Sequence, residues 1–148
     1  MAQSASQFRH EFDQDNKILL IRVEGRLTDE SVTELYQATR NYSTATDASM
    51  MIVDFSSVTE FAVSTGYITW LAQQEPAMPH ATTRPRIFVV PQKHGFGLCR
   101  MFQLVGEEKR PLLQIVHTLE EALTALHIPF SPFESSIALA PVRSGNPA

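Results

Sequence analysis

The chain of 148 residues is poor in the features that fix a narrow function. It has a single cysteine, Cys99, so it can form no internal disulfide and no cysteine-rich zinc site. The helical neighbours Leu98, Met101 and Phe102 make Cys99 a core thiol. The five histidines (His10, His80, His94, His117 and His127) show no metal-ligand spacing. No metal or cofactor is expected. Twelve Lys and Arg residues are scattered against sixteen Asp and Glu, for a net charge of −4. With no basic run, nucleic-acid binding is disfavoured. No apolar run approaches the roughly 20 residues that span a bilayer. Met1 to Gln7 offers neither a charged leader nor an apolar core, so no secretory signal is expected and a cytoplasmic location is.

What remains is the composition of an ordinary globular protein, long enough for one domain with a real core. Phe8, His10 and Phe12 alternate with polar residues, as in a half-buried strand, and Asp13 to Asn16 is turn chemistry. Ile18 to Val23 reads as a central strand paired with the first in an antiparallel hairpin, ended by Gly25. Thr28 is placed to cap a helix whose first turn carries Asp29 and Glu30, with Val32, Leu35, Tyr36, Thr39 and Tyr42 on one face. Met50 to Phe55 is a third strand. A helix opens at Ser64 or Thr65, carries Ile68, Leu71 and Ala72 on one face and closes before Pro76.

Three prolines (Pro76, Pro79 and Pro85) make residues 76–85 a loop. Ile87 to Val90 is the fourth strand. The helix after it starts near Gly95, directs Leu98, Met101, Phe102 and Val105 to the core, and ends at Gly106. Leu113 to Val116 is a fifth strand, and Thr118 with Glu121 forms a capping box for a last helix. This order predicts an α/β domain over residues 8–128: a mixed, mostly parallel five-stranded sheet with an N-terminal hairpin and about four helices. Residues 1–7 are expected to be a flexible N-terminus and residues 129–148 a C-terminal tail. The tail carries Phe130, Phe133, Ile137 and Leu139, a surface that could serve a homodimer or lie on the domain.

In an open α/β sheet, ligands sit beyond the carboxyl ends of the strands. Ser64, Thr65 and Gly66 fall there, at a helix start whose unpaired N–H groups favour an anion. The simplest role of Ser64 is to cap the helix. The second such junction is Pro91 to Gly97, where Lys93 and His94 could meet an anion and Gly95 and Gly97 let a backbone come close. It lacks the spacing of a P-loop or a dinucleotide loop. A Ser64–His94–Asp54 triad can be written, but Ser64 is not in a nucleophile elbow, and Asp54 reads better as a strand-end residue bonding the loop backbone. No enzyme activity is expected.

The element order, the stretch MIVDFSSVTEF (residues 51–61) before a serine-glycine helix start, RMFQLVGE (residues 100–107) and TLEEAL (residues 118–123) together resemble the STAS domain. That family includes anti-sigma-factor antagonists and the tails of sulfate transporters, and the resemblance covers roughly residues 8–127. It implies a regulatory protein-interaction module. The family's antagonists carry Asp-Ser-Ser-Gly, with the first serine phosphorylated by a partner kinase. The matching residues here are Val63-Ser64-Thr65-Gly66. Ser64 stands at the phosphoacceptor position, and Val63 takes the place of the aspartate. A regulatory kinase or an anti-sigma-type protein is the implied partner. The competing reading is a carrier of a small molecule or lipid, with Phe61, Tyr67, Trp70, Phe96 and Phe102 lining an apolar cleft.

Overall fold

The structure is a computed structural model that describes residues 7–129 and 131–133. Its elements run β1 (Gln7–Asp13), β2 (Ile18–Thr28), α1 (Asp29–Ala45), β3 (Met50–Ala62), α2 (Thr65–Ala72), β4 (Arg86–Val89), α3 (Lys93–Val105), β5 (Leu113–Val116) and α4 (Leu119–Ala125). The five strands form one sheet in the order β1-β2-β3-β4-β5. Only β1 and β2 are antiparallel, and the remaining pairs are parallel. The chain therefore steps across the sheet in one direction. Crossovers of one hand then put all the intervening helices on the same side.

The two resulting faces follow strand alternation. Leu19, Ile21, Met51, Val53, Phe88 and Val90 project toward α1, α2 and α3 and form the larger core. Ile18, Leu20, Ile52, Ile87 and Val89 project the other way and pack against Ala122, Leu123 and Leu126 around α4. Phe133 joins this second cluster and is buried. The other apolar tail residues, Phe130, Ile137 and Leu139, lie outside the described residues.

The local signals place the helices well. Thr28 caps α1 in a capping box with Ser31, Thr118 caps α4 in one with Glu121, and Gly106 is the C-cap of α3. The structure corrects the sequence reading in four places. Gly25 does not end the hairpin. It sits inside β2 at φ 91°, the left-handed region open to glycine, next to a shift in the β2–β3 register. β1 begins at Gln7, opposite Glu24. Val105 is exposed rather than directed to the core. The largest difference is β3, which continues past Phe55 to Ala62. Its second half pairs with β2 alone, because β4 accompanies only Met51 to Asp54.

Candidate functional site

The extended β2–β3 ribbon builds the site. Its parallel register sets Leu27 opposite Phe61 and Thr28 opposite Ala62. Both strands end there, and each hands over to a helix. The starts of α1 and α2 are thereby brought side by side, although Asp29 and Ser64 are 35 residues apart.

Asp29 joins them. Its carboxylate accepts the Ser64 backbone N–H at 2.8 Å on Oδ1 and the Ser64 hydroxyl at 2.9 Å on Oδ2. The Ser64 oxygen in turn accepts the Tyr67 N–H at 3.2 Å, the N-cap bond of α2. The hydroxyl is thus a cap, on a residue exposed at the rim of the sheet. Val63 is buried, and Asp29 brings a carboxylate to the hydroxyl from another helix. The sequence pattern makes Asp29 only a favourable first-turn charge, because nothing local announces a contact across so many residues. Thr65 and Gly66 are exposed in the first turn of α2, and a Cβ on Gly66 would meet nothing within 4 Å.

Residues Lys93 to Gly97 are the first turn and a half of α3 rather than a loop. Lys93, His94 and Gly97 are exposed there, and Gly97 faces open space. Gly95 is buried, and it makes room for protein rather than ligand: a Cβ at this position would lie 2.4 Å from the Phe61 ring. Gln92, at the N-cap position of α3, makes no side-chain cap bond and instead donates its amide to the carbonyls of Phe55 at 3.0 Å and Val58 at 2.9 Å. Gly95 and Gln92 thereby dock the start of α3 on β3. No local pattern around Gln92 signals this contact.

Asp54 is not part of this rim. It points to the α4 side of the sheet, where it pairs with Arg22 at 3.1 Å and accepts the Ser56 N–H at 2.9 Å. It also accepts the Ser56 hydroxyl at 2.6 Å. This is the loop-bonding role expected of it, and it removes Asp54 from the anion-binding set. The Ser64–His94–Asp54 triad does not form, since the acceptor of the Ser64 proton is Asp29.

The apolar ligand set also comes apart. Between the sheet and α1, α2 and α3 lies a half-open cavity of about 90 Å³. Phe61 and Phe102 line it, with Leu35, Ile68 and Phe88. Tyr67, Trp70 and Phe96 do not. Tyr67 lies against Trp70 with ring centroids 5.6 Å apart, and Trp70 is 53% exposed. Phe96 stacks on His117 at 4.5 Å. Cys99 is buried at the cavity wall, and burial pushes its thiol up to about 12, so it is inert at neutral pH.

Two arginines that composition alone would leave on the surface also line this cavity. Arg86 is 6% exposed and Arg110 is 2% exposed. Arg110 donates Nη1 to Ala72 O at 2.7 Å and Nη2 to Gln74 O at 3.0 Å, closing the C-terminal end of α2. Arg86 has no such anchor. Burial, and then the like charge of Arg110, push its guanidinium down to about 9, which leaves it charged at neutral pH.

Among the described residues no His, Cys, Asp and Glu cluster could hold a metal ion, and no helix is long and apolar enough to cross a membrane. No family model matches the sequence, and no curated protein matches it. Solved structures do. The anti-sigma factor antagonist SpoIIAA in its unphosphorylated form superposes with a TM-score of 0.54 at 16% identity, covering 84% of this chain and 100% of that one. An anti-sigma factor antagonist from Mycobacterium paratuberculosis gives 0.52 at 19% identity, covering 83% and 95%. The Bacillus cell fate determinant SpoIIAA in its phosphorylated form gives 0.50 at 18%, covering 81% and 99%. With its one-sided crossovers and its antiparallel first strand, the chain has the STAS-like fold of the anti-sigma factor antagonists.

Proposed function

We propose that the protein is a non-enzymatic regulatory module that binds a protein partner at the rim around Ser64, and that phosphorylation of Ser64 switches this binding. The observation that carries the reading is exposed Ser64, its hydroxyl held at a helix start by Asp29 and the Tyr67 N–H. The fold supports it, because antagonists with this architecture have been solved in both unphosphorylated and phosphorylated forms. Trp70, largely exposed on the same short helix, supplies an aromatic of the kind that anchors protein interfaces.

The switch has a physical basis. A phosphate on Ser64 removes the proton now donated to Asp29 and sets a charge of about −1.5 to −2 against that carboxylate. The link between α1 and α2 is then repelled, while the N–H groups of α2 attract the new anion. A regulatory kinase or an anti-sigma-type protein is the partner class this implies. A homodimer built through the C-terminal tail is compatible with it. Sedimentation of the chain with and without residues 129–148 tests that assembly.

Pull-down from the native host with the wild-type chain and with Ser64→Asp tests the switch. A partner retained by the wild type and lost by Ser64→Asp is expected, together with a fraction of the native protein carrying one phosphate by intact mass. Identical partner profiles and no phosphate on Ser64 would overturn the reading.

A further inference from the structure

The second face of interest is the cavity. Its lining is apolar apart from Tyr36, Thr39, Arg86, Arg110 and the Cys99 thiol, and it contains no carboxylate. Tyr36 has its hydroxyl proton committed to Glu75 O at 2.6 Å. Arg86 Nε and Nη1 and Arg110 Nε are buried donors without a hydrogen-bond partner among the described residues. Both guanidinium groups lie near aromatic rings, Arg86 5.5 Å from the Phe88 centroid and Arg110 4.6 Å from that of Phe102. Such contacts moderate the cost of a buried cation but supply no counter-charge. Glu75 favours the charge of Arg110, but it is an exposed partner of Lys109. Two groups act on Arg86: Arg110 opposes its charge, and Tyr36, a neutral phenol at neutral pH, favours it more weakly.

Buried charges in proteins are paired, and buried donors are bonded. A water could satisfy a free N–H of Arg86 but not its charge. An anion satisfies both. We propose that this cavity binds a compact monocarboxylate with an apolar body, its carboxylate on Arg86 and its hydrocarbon part among Leu35, Phe88 and Phe102. A carboxylate fits better than a phosphate, whose greater charge and additional oxygens would need donors that the aliphatic and aromatic walls lack. The size follows from the volume. An apolar cavity of about 150 Å³ takes benzene, so about 90 Å³ encloses a smaller group, and a longer chain would project through the open side. The site lies under the helices and reaches Val63, next to Ser64, but Ser64 itself does not line it.

The test is a titration of the full chain with hexanoate and butanoate, against hexanamide and inorganic phosphate. Thermal unfolding and the Nε–H resonances of the arginines are the readouts. Expected are a saturable rise in Tm with the carboxylates, binding of hexanamide and phosphate at least tenfold weaker, and a shift of the Arg86 Nε–H signal on saturation. Arg86→Met should abolish carboxylate binding while itself unfolding at a higher temperature than the wild type, so that the loss is not one of folding. Ser64→Ala should bind hexanoate as the wild type does. Absence of carboxylate binding, equal binding of hexanamide or phosphate, retention in Arg86→Met, or loss in Ser64→Ala would each overturn the proposal.

Discussion

The two faces of the sheet are built on different terms. On the α4 side, Ile18, Leu20, Ile52, Ile87 and Val89 are fully buried and meet a short helix and Phe133. The cavity described above is absent from that side. On the other side three helices enclose a larger core, yet it keeps a cavity and two buried arginines, one of them with two donors unpaired among the described residues. One face therefore stabilises the domain, and the other gives up stability that its size would allow. An unpaired buried cation costs several kcal/mol, and a fold retains it most readily where the charge is used.

Removing apolar volume from the closed face should cost most. Leu20→Ala is expected to lower stability by about 2–5 kcal/mol, measured by urea unfolding. A loss well below that range would mean that this face is not the tight one. The open face should respond in the opposite sense: Arg86→Met, close in volume and uncharged, is expected to gain about 1–4 kcal/mol. A destabilised Arg86→Met would show that the guanidinium is held by bonds the comparison leaves out.

The two glycines of the rim sharpen the contrast further. Gly95→Ala drives a methyl into the Phe61 ring, 2.4 Å away, and should cost about 1–3 kcal/mol as overpacking. The ring lines the cavity and can retreat into it, so a cost at the low end, with reduced hexanoate binding, is the form this loss should take. Gly66→Ala meets nothing and should gain about 0.4–1 kcal/mol in the same unfolding assay. A large loss there would reveal a backbone role that the open surroundings of Gly66 do not suggest.

The architecture was legible in the sequence because its signals are local. The alternation around Phe8, the caps at Thr28 and Thr118, and the apolar stripe from Val32 to Tyr42 each need only a few residues of context. The second half of β3 was hidden because Ser56, Ser57, Thr59 and Glu60 read as a loop. Those polar residues are tolerated since most of this segment faces solvent, with Val58 and Phe61 alone turned fully inward. The serine at the rim was legible from the resemblance, but its partner Asp29 was not, because the contact depends on the β2–β3 register. The buried arginines were the least visible. Arg86 opens a strand after a proline-rich loop and Arg110 follows a helix end, positions where charge is usually solvated.

The long third strand carries one more consequence. Beyond Asp54 no strand among the described residues pairs with it on the β4 side, and an unpaired strand edge is a template on which a foreign chain can add. Gln92 reaches across and occupies the carbonyls of Phe55 and Val58 with its side-chain amide. A lone glutamine thus closes the margin that a sixth strand would otherwise cover, and lets the ribbon project to the helix starts without inviting aggregation.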